Sequence, residues 1–408
     1  MKKPLLRIPY TGPLPAARII PPTANTFSGA ITALTNFLTA PPSPNLNSDT
    51  THPESTAVLT GAGISVASGL ADYRGDKGTY RVNKTYRPIY HHEFLASHEA
   101  RKRYWARSFL GWPNLANAHP NATHYAIRDL GNMGMVRKVI TQNVDSFHSK
   151  AHPDLPTLEL HGYLRATRCT TCKNDLSRDN FQNDLARLNP LWAQLLEEIL
   201  ESGALETEDP EERTAKGLKT NPDGDVDLPD APYTTFRYPP CPTCLSRPPM
   251  LKDGTKAVVE VDNEGAYVAT NTAGILQPAV VMFGEAIAPE IKQIADDAID
   301  SAGRLLVVGT SLATYSAWRL ARRAKDRGMP IGIINLGGVR GEDAFLDHLP
   351  DGQEGELGVR IELPSDKLLP ALVDHFRSIG ADAHDPRLEF SDPIRTVQGN
   401  YAFKDMLS

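Results

Sequence analysis

Short apolar runs alternate with amphipathic stretches along most of the chain. The runs predict strands at 56–60, 136–141, 157–160, 279–283, 304–308 and 330–334. Apolar residues recur at helical spacing over 98–110, 122–132, 289–302, 314–327 and 366–378. Buried runs separated by helices predict βαβ units and a parallel α/β architecture. An earlier helix is predicted over 24–39, where Ile31, Leu34, Phe37 and Leu38 keep helical spacing. The Pro/Ser/Asn-rich stretch 40–54 reads as a linker or loop.

The residues that come directly after each run carry more information. "STAVLT" leads into Gly61-Ala62-Gly63, and "VRKVIT" into Gln142-Asn143-Val144-Asp145. "TLEL" leads into His161-Gly162, and "AVVMF" into Gly284-Glu285. "RLLVV" leads into Gly309-Thr310-Ser311, and "IGII" into Asn335-Leu336-Gly337. Small or polar residues after buried parallel strands mark the carboxyl edge, where an open α/β sheet binds ligands. One such ending means little, but six together predict a shared crevice.

The pattern changes between 169 and 278. The chain has four cysteines in two pairs, Cys169/Cys172 and Cys241/Cys244. Four thiols in 408 residues are too few for a disulfide framework. Their CxxC spacing points to metal, with two redox motifs as the alternative. Four thiolates brought together make a closed structural zinc site with no open position for water. Between the pairs lie a predicted helix (184–201) and an acidic, polar run (201–230). Residues 251–275 predict a β-hairpin turning at Asn263-Glu264-Gly265. The chain thus divides into an extension (1–54), an α/β unit (55–166 and 278–380), an inserted smaller unit (167–277) and a tail (381–408).

Composition narrows the classes. The net charge of −6 supplies no general basic field for nucleic acid. No apolar run approaches the ~20 residues that span a bilayer. The first 48 residues carry Lys2, Lys3, Arg7 and Arg18, and Asp49 is the first acid. That is the composition of an organelle transit peptide. Pro4, Pro9, Pro13 and Pro15 oppose a long helix at the very start, and a Pro-rich disordered arm is the equal alternative.

Gly61 and Gly63 permit a tight turn and close backbone approach, and a helix from Ile64 would aim free N–H groups at a diphosphate. The usual dinucleotide fingerprint asks for a third glycine three residues later, where this chain has Val66. It also asks for an acid about 20 residues on, and Lys77–His92 contains none. The ordinary dehydrogenase reading therefore fails. His161 reads either as a strand-capping residue or as a base, since an unperturbed imidazole accepts a proton at neutral pH.

"GAGISVASGLADYRG", "TQNVDSFH", "ELHG", two CxxC pairs, "VVMFGE", "VVGTS" and "INLG" occur in the order found in sirtuins, the NAD-dependent protein-lysine deacylases. The resemblance covers about residues 24–375. "RYWARSFLGWPNLANAHPNATHYA" and "LNPLWAQ…NPDGDVDL" resemble the class II branch that includes mitochondrial sirtuin four.

The resemblance implies a Rossmann-like parallel-sheet domain with an inserted small zinc-binding domain, and NAD and acyl-lysine meeting between them. It assigns NAD contacts to Gly61, Ala62, Gly63, Ile64 and Ser65, and to a flexible loop with Asp72, Tyr73 and Arg74. Gln142 and Asn143 would face the ribose and the catalytic water, while Asp145 and Ile64 would hold the nicotinamide carboxamide. Gly309, Thr310 and Ser311 would serve phosphate, Asn335 with Leu336 and Gly337 the adenosine ribose, and Ser365 the adenine. Cys169, Cys172, Cys241 and Cys244 would hold one structural zinc. Gly284 and Glu285 would border the peptide channel. Residues 78–88 read first as a surface loop; the alternative is that they shape the acyl pocket, with Tyr80 and Arg81 or Arg87 recognising an acidic chain.

In the implied chemistry, the acyl oxygen attacks the nicotinamide ribose and nicotinamide leaves. His161, with Asn143 and Asp145 beside it, then acts as general base on a ribose hydroxyl. Water finally releases lysine and O-acyl-ADP-ribose. Expected partners are acyl-lysine proteins, and the expected compartment is the mitochondrial matrix. Mono-ADP-ribosyl transfer and a non-catalytic NAD-sensing scaffold stay open as alternatives.

Overall fold

The computed structural model describes residues 10–12, 14–83, 86–202, 219–220, 225–228, 231–347, 349 and 355–382. Lys2, Lys3 and Arg7, most of the 201–230 run and the tail beyond 382 lie outside the described residues. Six parallel strands form one sheet: β1 (His52–Thr60), β2 (Val136–Thr141), β3 (Thr157–Glu159), β7 (Ala302–Val308), β8 (Ile331–Ile334) and β9 (Gly358–Ile361). Their spatial order is β9-β8-β7-β1-β2-β3. The chain therefore runs outward from β1 in one direction and later outward from β7 in the other. The strand order reverses between β1 and β7, the position where such sheets bind ligands.

Both faces of the sheet are covered, which is why its strands read as near-continuous apolar runs. Val58, Val139, Leu306 and Ile334 pack against α1 (Phe27–Thr39), α4 (Ala122–Asn132) and α10 (Ser365–Asp382). Ala57, Leu59, Leu305 and Val307, on the opposite face, pack against α8 (Pro289–Asp300) and α9 (Tyr315–Asp326). The helix predicted over 24–39 is thus α1 and belongs to the core, with a short 3₁₀ turn (Pro22–Asn25) before it. Just upstream, the backbone of Ile20 pairs with Arg360 of β9.

A second, antiparallel sheet has the order β5-β4-β6, with β4 (Gly162–Cys169), β5 (Asp175–Ser177) and β6 (Leu276–Val280). The strand predicted at 279–283 is corrected here. β6 ends at Val280 and pairs with β4, outside the parallel sheet. An apolar run alone does not say which sheet it joins. This smaller unit shares a core with α2 (His91–Ala96) and α3 (His98–Asn117), so Phe94, Trp105 and Phe109 pack with Phe181, Phe236 and the cysteines.

Two further expectations change. The helix predicted over 184–201 is two helices, α6 (Arg178–Leu188) and α7 (Pro190–Glu201). Pro190 starts the second helix, where its missing N–H costs nothing. The Asn189 side chain fixes the break through Leu185 and Arg237 carbonyls, both at 2.8 Å. The 251–275 hairpin is not a ladder: a single bridge, Val261 with Tyr267, and a backbone bond, Thr272 N to Val258 O at 2.9 Å, join its arms, and a second bridge, Met250 with Lys256, closes a turn within the first arm. Side chains take the backbone donors instead, with Thr272 accepting from Val258 N, Asn271 from Glu260 N, and Asp262 from Glu264 N.

Candidate active site

The six segments named after the apolar runs line one cavity of about 1660 Å³. That exceeds the roughly 300–1,000 Å³ typical of small-ligand pockets and leaves room for a dinucleotide with a second substrate. The loops after β1 and β7 meet at its floor. Gly63 N donates to Gly309 O at 2.9 Å, and a Cβ on Gly63 would lie 2.8 Å from that oxygen. Gly309 itself has φ +60. The glycines are therefore required first by the contact between these two loops. The predicted helix from Ile64 is a 3₁₀ turn of seven residues, Ala62–Ser68.

Gln142 holds the next layer. Its amide donates to Thr60 O at 3.1 Å and Thr310 Oγ1 at 2.9 Å, and accepts from Thr314 Oγ1 at 2.9 Å. Asn143 Nδ2 donates to Gly61 O and Ser65 Oγ, both at 3.1 Å. Ser65 Oγ in turn donates to Asp145 at 2.7 Å, and Phe147 N, at the start of α5 (Phe147–Ala151), donates to the other carboxylate oxygen. Burial raises the Asp145 carboxyl above its ordinary range, against the lowering effect of those two donors.

His161 faces the same space. Its Nδ1 lies 3.1 Å from Gln142 O and its Nε2 2.8 Å from Ser316 Oγ. The ring is enclosed by protein except toward the cavity, and enclosure lowers its pKa to about 4. At neutral pH the imidazole is uncharged and able to accept a proton.

Asp72, Tyr73 and Arg74 line the cavity after Leu70. Asp72 is raised by burial and accepts from Gly75 N at 2.9 Å. Arg74 Nε donates to Tyr10 O at 3.0 Å, and its guanidinium lies 5.0 Å from the Tyr80 ring centre. The segment around Tyr10 thus reaches the cavity wall, a contact that nothing in the local sequence signals. Ser311, Asn335, Leu336, Gly337 and Ser365 also line the cavity. Arg360, wholly buried in β9, holds the 335–337 loop by donating to Asn335 O at 2.9 Å and Gly337 O at 2.6 Å. Ser365 Oγ shares a hydrogen bond of 3.0 Å with Thr123.

Near the predicted acyl pocket, Arg81 pairs with Asp76 at 2.5 Å, and Arg87 pairs with Glu93 outside the cavity lining. Among the described residues, the buried guanidinium in that wall is Arg107, beside Tyr104 and Ile89, with Asp225 at 2.8 Å. No local sequence signal marks it, because its partner lies far along the chain.

The four cysteine Sγ atoms all lie within 4.8 Å of one another. Cys169–Cys244 and Cys172–Cys241 are each 3.6 Å apart. Zn–S bonds of about 2.3 Å at tetrahedral angles require roughly 3.8 Å between sulfurs, so donor set and spacing fit one zinc ion.

Behind the floor sit three buried histidines. Thr60 Oγ1 bonds His148 Nε2 at 2.9 Å, His148 Nδ1 bonds His152 Nε2 at 2.8 Å, and the His124 ring centre lies 5.0 Å from that of His148. Burial lowers His124 to about 3, His152 to about 4, and His148 well below 6.5. Below pH 6.5 the unfolded chain binds protons that the folded chain refuses. Their contribution is intact above pH 6.5 and is lost as pH falls toward 4, at up to about 1.4 kcal/mol per residue per pH unit. Melting temperature is therefore expected to drop steeply between pH 6.5 and 4.5, with imidazole NMR signals still unprotonated at pH 5.5. A flat melting profile contradicts this.

A doubly wound sheet with glycine loops at its reversal point, a half-buried neutral imidazole and four clustered thiols beside a smaller sheet define a nucleotide-binding α/β protein. The sequence profile of the Sir2 family matches residues 61–316, and the chain belongs to that family. It is similar to the NAD-dependent protein deacylase SIR4 of Batrachochytrium dendrobatidis, 40% identical over 80% of this chain and 91% of the relative. It is 33% identical to the NAD-dependent protein deacylase Sirt4 of Drosophila melanogaster, over 78% and 82%. It is also 33% identical to the mitochondrial NAD-dependent protein lipoamidase sirtuin-4 of Bos taurus, over 74% and 79%.

Proposed function

We propose that this protein is an NAD-dependent protein-lysine deacylase in which His161 is the general base. The observation that carries the reading is the neutral imidazole lining one cavity with both glycine loops and residues 142–145. In this reading NAD is co-substrate. Gly61, Ala62, Gly63, Ile64 and Ser65 meet it along the floor, and Asp72, Tyr73 and Arg74 close over it. Gly309, Thr310 and Ser311 serve the phosphates, and Asn335, Leu336, Gly337 and Ser365 the adenosine. Gln142 and Asn143 orient the ribose and water, and Asp145 with Ile64 holds the carboxamide. His161 then takes a proton from the ribose hydroxyl that attacks the acyl carbon. Cys169, Cys172, Cys241 and Cys244 bind zinc, which fastens the smaller unit and takes no part in the chemistry.

A mitochondrial location is supported by the bovine relative's name and by the acid-free N-terminal composition. Because Ile20 is hydrogen-bonded to β9, a removable leader would end before it. Among the described residues no helix is long and apolar enough to cross a membrane.

The test is NAD with a panel of acylated peptides, including lipoyl and acidic acyl chains, followed by mass spectrometry. The expected result is nicotinamide, deacylated peptide and O-acyl-ADP-ribose in equal amounts. ADP-ribosylated protein with the acyl group retained identifies a transferase, and NAD binding without nicotinamide release identifies a scaffold.

A further inference from the structure

The ring of His161 is gripped from both sides. A carbonyl oxygen only accepts, so the 3.1 Å contact with Gln142 O places the ring proton on Nδ1 and leaves Nε2 bare. The Ser316 hydroxyl, 2.8 Å away, is then the donor to Nε2. Ser316 lies in the first turn of α9, half-buried, and lines the cavity. Two residues earlier, Thr314 donates to the Gln142 amide oxygen at 2.9 Å. The segment 314–316 therefore fixes the ring directly and also fixes the residue that carries its other hydrogen bond. None of the sequence motifs includes Ser316.

We propose that Ser316 is a positioning residue for the deacylation base, an inference that rests on the reading of His161 as that base. Its hydroxyl holds the bare Nε2 toward the cavity before substrate arrives, then rotates aside as a ribose hydroxyl takes its place. When the base acts, the ribose O–H bond breaks, the Nε2–H bond forms and the electron pair stays on the ribose oxygen. Ser316 keeps its own proton throughout. Its oxygen then accepts from the new Nε2–H. Such a charge-assisted bond counts for more in an enclosed site than in water. The hydroxyl thus serves both protonation states of the ring, as donor to one and acceptor from the other.

The experiment compares Ser316→Ala, Ser316→Thr and His161→Ala in the full chain. Ser316→Ala is expected to lower kcat about tenfold, the scale of one lost hydrogen bond near the reacting atoms, with KM for NAD changed less than about twofold. Ser316→Thr keeps the hydroxyl and is expected to recover most of kcat. Adding Ser316→Ala to His161→Ala is expected to cost nothing further, because the two act as a unit. Wild-type kcat in Ser316→Ala, or a threonine variant no better than alanine, overturns the proposal while an inactive His161→Ala leaves the base reading intact. Wild-type turnover in His161→Ala overturns both.

Discussion

Replacing His161 with alanine is expected to lower O-acyl-ADP-ribose formation by about 10²- to 10⁴-fold, the usual worth of a positioned general base. The large effect comes from how completely the ring is prepared. Its Nδ1–H is held on a backbone carbonyl, its lone pair faces the cavity, and enclosure, which lowers its pKa to about 4, keeps it uncharged at neutral pH. Water does not replace an oriented base in that space. The substitution removes no apolar core contact, so folding, zinc content and melting temperature should stay near wild type. Single-turnover mass spectrometry of the product is the measurement. A variant that folds and turns over at the wild-type rate removes His161 from the chemistry.

Stripping the metal is expected to unfold the smaller unit and abolish activity together. The four thiols lie in the core with Trp105, Phe181, Phe236 and Leu276, and they join segments about seventy residues apart. Structural zinc contributes on the order of 10–16 kcal/mol in small peptides, far more than this core supplies by other single contacts. Activity falls with it because β4 and β6 of that unit frame the cavity: Val281 N donates to His161 O at 2.8 Å. Cys169→Ser should reproduce the chelator. Metal analysis is expected to give one zinc per chain before treatment, and near-ultraviolet circular dichroism to report the loss of aromatic packing afterwards. Retained dichroism and turnover after complete metal removal would sink this assignment.

The alternation of apolar runs and helices was enough to locate β1, β2, β3, β7 and β8, because strands buried on both faces leave unbroken apolar signatures. β9 was missed for a local reason. Its sequence Gly-Val-Arg-Ile carries Arg360 near its centre, and only the surrounding carbonyls and Glu342 at 3.0 Å make a buried guanidinium tolerable there. Sheet membership at 276–280 failed because burial looks the same in either sheet. The pairing of Arg107 with Asp225, and of Arg74 with Tyr10, left no local trace.

The chain's order alone determined which chemistry is on offer: an imidazole, an amide and acid set, glycine loops and four thiols, each after a recognisable run. Only the tertiary structure decided that the loops after β1 and β7 touch, that Ser316 faces His161, and that Arg107 reaches the cavity wall. The reason is that side-chain periodicity is a local property of neighbours along the chain, whereas sheet order and hydrogen-bond partners are fixed by contacts between residues far apart in sequence.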